Sequence, residues 1–163
     1  MTGAVEVGFS LGSNIGDKAG TVSRALALLQ DGGIVSNLVA SSFYRTAPWG
    51  HVTAQDWFIN VCATGTTALA PNDLLAACKG VEHHLGRTGT ERWGPRVIDV
   101  DILYYGELAL ETPGLTLPHR EILNRAFVLV PLAEIRPHRQ IGGTTVAAAA
   151  AALGHEGVTR IND

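Results

Sequence analysis

The run Arg96-Val97-Ile98-Asp99-Val100-Asp101-Ile102-Leu103-Tyr104 carries the residues most suited to chemistry, and its apolar pattern reads as a strand. Side chains alternate across a strand, so Asp99 and Asp101 share one face while Ile98, Val100 and Ile102 share the other. Two carboxylates side by side repel, and one tends to hold a proton unless a cation lies between them. Mg²⁺ fits that place, because it takes one or two protein carboxylates and completes its shell with water and substrate phosphates. The other reading is a pair of aspartates salt-bridged by arginines on an exposed sheet face. Five of the ten arginines, Arg87, Arg92, Arg96, Arg120 and Arg125, fall between positions 87 and 125, and the planar guanidinium fork suits phosphate. Metal together with phosphate accounts for both groups and points to polyphosphate transfer, where a cation and fixed donors neutralise developing charge.

The elements that must position these groups follow from pattern. Val5, Val7, Phe9 and Leu11 alternate with small or polar residues and predict a first strand, broken by Gly12-Ser13-Asn14-Ile15-Gly16. A helix is expected from about Lys18 to Gln30, stopped by Gly32-Gly33, and strands over 34–44 and 57–67. Pro71 and Asp73 open a second helix with the apolar stripe Leu74, Leu75, Cys78, Val81 and Leu85, ended by Gly86. A polar loop, Arg87–Pro95, leads to the fourth strand, Arg96–Tyr105. Residues 118–135 read as helical with a break near Pro131, Thr144–Leu153 reads as a last short helix, and no element is assigned to the tail after it. Some strand connections are too short for a helical crossover. The fold class is therefore α+β, with a largely antiparallel sheet carrying helices.

Composition bounds the rest. The chain has 163 residues, 46% hydrophobic and 17% charged, with a net charge of −3. One domain spanning residues 1–163 is expected, and the charge argues against a protein that coats nucleic acid. Two cysteines are too few for a disulfide scaffold. The N-terminus has no signal-peptide pattern, and the longest apolar run, Val146–Leu153, is far below the ~20 residues that span a bilayer. A cytoplasmic protein is expected. Gly12–Lys18 is no P-loop, since three residues separate its glycines and Ala19 follows the lysine. The protein-kinase motif set is also missing.

Several blocks, in order, carry a resemblance: Gly12-Ser13-Asn14-Ile15-Gly16-Asp17; Ser41-Ser42-Phe43-Tyr44-Arg45-Thr46; Phe58-Ile59-Asn60; Gly86-Arg87; Glu91-Arg92-Trp93-Gly94-Pro95-Arg96 running into Asp99-Val100-Asp101-Ile102-Leu103; Leu117-Pro118-His119; and Asn124-Arg125-Ala126-Phe127. Over roughly residues 5–135 the chain resembles the 6-hydroxymethyl-7,8-dihydropterin pyrophosphokinase family. The resemblance implies a ferredoxin-like, three-layer α/β/α fold. It also implies transfer of the β,γ-pyrophosphoryl group of ATP to the pterin hydroxymethyl oxygen, releasing AMP, in folate biosynthesis.

By the same resemblance, Asp99 and Asp101 hold two Mg²⁺ ions and act in catalysis with Arg87 and Arg96. ATP is bound by Leu75, Arg87, Arg92, Trp93, Ile102, Thr116, His119 and Arg125. The pterin is bound by Thr46, Trp49, Phe58, Asn60, Asp99 and Phe127, and the Arg87–Pro95 loop closes over the substrates. A pterin is flat, aromatic and edged with donors and acceptors, so an aromatic pair plus an amide is a sound receptor for it. Read without the resemblance, Phe58 and Phe127 are first of all ordinary core residues, Asn60 is either a ligand contact or a satisfied buried amide, and His119 either caps a helix or donates to phosphate. The partners implied are small molecules alone, with no nucleic acid or membrane, and a monomer is expected.

The chain departs from the pattern at Arg120, where a proline or aromatic residue is common, at Gly114, where some members carry arginine, and at Thr88-Gly89-Thr90, which lacks a further basic residue. Other readings are a D-x-D glycosyltransferase, a ferredoxin-like module that binds nucleotide or RNA, and an inactive family member. The first wants a nucleotide-binding α/β region before the D-x-D, and the second wants a basic, aromatic sheet face. Adjacent His83 and His84 point about 100° apart on a helix and make a poor zinc pair. Glu82 beside them is left outside the site.

Overall fold

The computed structural model describes residues 4–47, 57–86 and 97–161. Trp49, Arg87, Arg92, Trp93 and Arg96 lie outside the described residues. In chain order the elements are β1 (Val5–Ser13), α1 (Lys18–Asp31), β2 (Ser36–Ala40), β3 (Tyr44–Thr46), β4 (Phe58–Thr67), α2 (Pro71–His84) and β5 (Asp99–Tyr105). A small ladder, β6 (Leu110–Glu111) with β7 (Thr116–Leu117), and a 3-10 turn, Ile122–Asn124, lead to α3 (Ala126–Ile135). The chain ends with β8 (Gln140–Ile141), β9 (Thr144–Thr145), α4 (Val146–Leu153) and β10 (Val158–Arg160).

The main sheet has six strands in the order β10-β3-β4-β1-β5, with β2 also paired to β4. Every pairing in it is antiparallel. Each of α1 and α2 links two strands that run the same way but are separated by a third, which makes this the ferredoxin-like α+β arrangement expected.

Alternation along the strands divides the core. Val7, Phe9, Leu11, Ile59, Val61, Val100 and Ile102 pack with Val22, Leu29, Leu74 and Cys78 of α1 and α2. On the opposite face Cys62, Leu103 and Tyr104 pack with Val128, Leu129 and Leu132 of α3 and Val146 of α4. The register of β5 shifts opposite Gly8/Phe9, and this irregularity brings the neighbours Leu103 and Tyr104 into the same cluster. Among the described residues no helix is long and apolar enough to cross a membrane.

Both of the first two helices start where expected, at Lys18 and at Pro71. Asp17 caps α1, its Oδ1 accepting from the Gly20 N–H at 3.1 Å, and Pro71 opens α2 with Asp73 in the first turn. Four expectations need correction. The first strand does not stop at Gly12 but pairs through Ser13 opposite Ile59. The single strand over 34–44 is two strands, because at Ser41 the ladder is only half made: its N–H donates to the Cys62 carbonyl at 2.8 Å, but the Cys62 N–H goes to the Ser41 hydroxyl at 3.0 Å. Residues 118–125 are not α-helix, and helix begins only at Ala126. Finally, Pro131 does not break α3. It is buried among Val128, Leu129 and Leu132, and that apolar burial offsets the missing N–H. The unassigned tail forms β10 at the sheet edge.

Glu134 fastens α3 to the sheet. Its carboxylate accepts from the Ser42 N–H at 3.0 Å, the Ser42 hydroxyl at 2.9 Å and the Tyr44 hydroxyl at 2.7 Å. Burial alone would raise this carboxyl, but the bonds from Tyr44 and Ser42 outweigh it and hold it below its ordinary value. Tyr44 is pushed up to about 12 by burial and by Glu134. Tyr44→Phe should lower stability by about 1 kcal/mol, read as a shift of the urea midpoint. Because the Glu134 pKa is depressed on folding, the difference should be full above about pH 4.5 and shrink as pH falls through the folded pKa.

Candidate active site

Strand register, not chain proximity, assembles the site. Asn60 of β4 lies opposite Gly12 of β1, and Gly12 lies opposite Asp99 of β5. Opposed residues share a face, so Asn60 and Asp99 flank a glycine across a span of roughly 10 Å, two strand spacings. The next row is Cys62, Ser10 and Asp101. Gly12 is needed there because a Cβ would overlap Asn60 Oδ1. The small residues of β1 thus leave a floor, and larger groups rise on either side of it.

A cavity of about 180 Å³ stands on this floor. Phe58 enters from the start of β4 and Phe127 from the first turn of α3, with Thr46 and Ala47 at the end of β3. Asn60 is 5% exposed, and its Nδ2 donates to Thr46 Oγ1 at 2.5 Å. That bond sets the amide orientation and turns its Oδ1 toward Gly12. Arg125, the residue before α3, lines the cavity, its guanidinium 5.5 Å from the Phe127 ring centre.

A second cavity, of about 270 Å³, opens at the outer edge of β5. Leu75 and Lys79 of α2 form one side, Ile102 and Asp101 the strand side, and Thr116, His119 and Arg120 the far side. Asp101 lines both cavities.

Two contacts hold the outer edge of β5. The buried Glu82 carboxylate accepts from the Val100 N–H at 2.8 Å, between the two aspartates. The His119 N–H donates to the Leu103 carbonyl at 2.7 Å. His119 Nδ1 accepts from the Glu121 N–H at 3.1 Å, which leaves Nε2 as the protonated nitrogen of the neutral ring. Burial, and next the Arg125 charge, hold its pKa below the usual 6.5. Arg120 reaches Thr116 Oγ1 at 3.5 Å and Glu111 at 3.7 Å.

Of the residues singled out from sequence, Thr46, Phe58, Asn60, Asp99, Asp101, Arg125 and Phe127 meet in the first cavity. Leu75, Asp101, Ile102, Thr116 and His119 meet in the second. Arg125, expected among the ATP ligands, stands on the wall of the first. His83 and His84 are exposed in the last turn of α2. Sequence reasoning passed over Ser10, Gly12 and Ala47 in the first cavity and Lys79 in the second. A glycine inside an otherwise regular strand was the available signal for Gly12, whereas Lys79 on a helix surface gives none.

The donor set suits a hard ion. Asp99 and Asp101 offer oxygen only, and among the described residues no group of three or more His, Cys, Asp or Glu forms a metal cage. Two carboxylates facing an open cavity fit Mg²⁺ that takes its other ligands from water and phosphate.

A profile of the 7,8-dihydro-6-hydroxymethylpterin-pyrophosphokinase family matches residues 8–137. The chain is 48% identical, over 93% of its length and 95% of the relative, to a 2-amino-4-hydroxy-6-hydroxymethyldihydropteridine pyrophosphokinase of Methylorubrum extorquens. It is 43% identical to the Bacillus subtilis protein of that name, over 77% of this chain and 75% of that one. A mitochondrial folate synthesis bifunctional protein of Pisum sativum is 42% identical over 93% of this chain, which spans only 29% of that relative. The structure of wild-type Plasmodium falciparum HPPK-DHPS with SDX-DHP superposes with a TM-score of 0.74 at 14% identity, covering 98% of this chain and 48% of that one.

The geometry at His119 has a direct readout. Its NMR titration midpoint should lie below 6.5, with the proton on Nε2 in the neutral form, and should rise in Arg125→Gln.

Proposed function

The chain belongs to the 7,8-dihydro-6-hydroxymethylpterin-pyrophosphokinase family, a group of transferases of folate biosynthesis, and we propose that it uses Mg²⁺ and ATP to pyrophosphorylate 6-hydroxymethyl-7,8-dihydropterin, releasing AMP. The observation that carries this reading is Asp101, which lines two adjoining cavities of different character. The first, with two phenylalanines and a fixed amide, suits a flat ring edged with donors and acceptors. The second, with Leu75 and Ile102 beside Lys79, His119 and Arg120, suits a base at one end and phosphates at the other.

In this reading Asp99 and Asp101 hold two Mg²⁺ ions, whose contribution when bound is to neutralise the polyphosphate. Neutral His119 donates Nε2–H to a phosphate oxygen, and Arg125 supplies permanent charge between the two substrates. Phe58 and Phe127 hold the pterin flat, while Asn60, oriented by Thr46, meets its polar edge. Arg87, Arg96, Arg92 and Trp93 complete the nucleotide side, and Trp49 the pterin side. Arg120, tied to Thr116 and Glu111, takes the place of a stacking residue and offers charge near the nucleotide. Residues 1–163 act as one pyrophosphokinase domain, a cytoplasmic monomer that binds small molecules.

Incubation with Mg²⁺ and ATP should give AMP only when 6-hydroxymethyl-7,8-dihydropterin is present. ADP would mean single phosphoryl transfer, and turnover without pterin would mean hydrolysis. Either result refutes the reading. Asp101→Ala should lower kcat by about a thousandfold or more, on the scale of a lost electrostatic stabiliser. Gly12→Ala should push the Asn60 amide out of place and raise the pterin KM by about tenfold or more with little change in the ATP KM, measured by steady-state kinetics.

A further inference from the structure

β10 has no role in the proposed chemistry, yet it covers the strand that carries Thr46. β3 has three residues. It pairs with β4 on one side and with β10 on the other, where Val158 faces Thr46 and Arg160 faces Tyr44. The ladder continues past both ends: the Ala47 N–H donates to the Gly157 carbonyl at 3.0 Å, and the Ile161 N–H to the Phe43 carbonyl at 2.9 Å. Gly157 has φ +79°, a conformation that L side chains other than asparagine and aspartate rarely take. The Val158 N–H donates to the His155 carbonyl at 3.0 Å and closes the turn that aims the Gly157 carbonyl.

The same turn borders the pterin half of the site. Gly157 and Val158 line a cavity of about 280 Å³ that shares Thr46, Ala47 and Phe127 with the first cavity. The turn therefore backs both the end of β3 and the Phe127 wall. From Gly157 the connection runs through the Ala47 N–H to the Thr46–Ala47 backbone, and from the Thr46 hydroxyl to the Asn60 amide.

We propose that Gly157 is a positioning residue for the pterin site: its left-handed backbone holds Thr46 and Ala47 in place and, through the Thr46 hydroxyl, orients Asn60. This inference rests on the proposed function and extends it to a segment outside the family match, which ends at residue 137.

The test compares full-length wild type, Gly157→Ala and Gly157→Asn, with each substrate varied in turn, and records melting temperature and direct pterin binding by fluorescence. Gly157→Ala should raise the pterin KM and Kd by about tenfold, the scale of one strained left-handed residue. Its ATP KM and kcat should stay within about twofold of wild type. Gly157→Asn, which tolerates the left-handed backbone, should restore the pterin KM. A lower melting temperature with unchanged pterin affinity, or equal rises in both KM values, would overturn the proposal by showing a merely structural turn. Failure of the asparagine variant to restore affinity would overturn it too. If wild type itself neither binds the pterin nor forms AMP with it, the proposed function falls first and this inference with it.

Discussion

The pairing of β1 on both edges is the constraint from which the rest follows. As an interior strand it must satisfy β4 on one side and β5 on the other, and it must bury Val7, Phe9 and Leu11 beneath α1 and α2. Those three side chains fix its register, since a one-residue slip would turn them into the site. Once they are fixed, Ser10 and Gly12 necessarily face α3. Their small size keeps that face from filling, and the gap becomes the floor on which Asn60, Asp99 and Asp101 converge. The core on one side of the sheet thereby dictates where the site lies on the other.

Charge is placed to match. The two aspartates stand at the outer strand, whose free edge is held by Glu82 and by the His119 backbone. These contacts use different groups of β5, a backbone N–H and a carbonyl, so the edge is anchored while the carboxylates stay on the cavity side. Arg125 stands on the wall of the first cavity in electrostatic reach of His119, and its charge adds to the larger effect of burial in favouring the neutral ring. A neutral ring with a fixed tautomer is a directed donor, while the arginine carries the permanent charge.

Much of this was legible in the sequence because it is local. Alternation puts Asp99 and Asp101 on one face, Pro71 and Asp73 mark a helix start, and the polar Asn60 stands out in an apolar strand. What could not be read depends on which strand meets which. Gly12 looked like a strand terminator because nothing near it in the chain reveals that Asn60 lies over it. Pro131 reads as a helix break because its burial is invisible to a local rule. The last segment carries no strong pattern, and its pairing with β3 depends on an edge built by distant residues.

That dependence has a bearing on how the protein comes to be active. The row Asn60–Gly12–Asp99 joins three segments far apart in the chain, and its neighbour β3 is closed by residues near the chain end. Contacts of such long sequence separation demand loop closure before they give any return, so sheets of this kind fold more slowly than helical bundles. The helices draw on local signals, a side-chain cap in α1 and α4 and apolar stripes along the chain, but the two cavities need strands brought together from distant segments. Competence to bind therefore depends on the long-range pairings, and a chain with much of its helix in place but without them has no site.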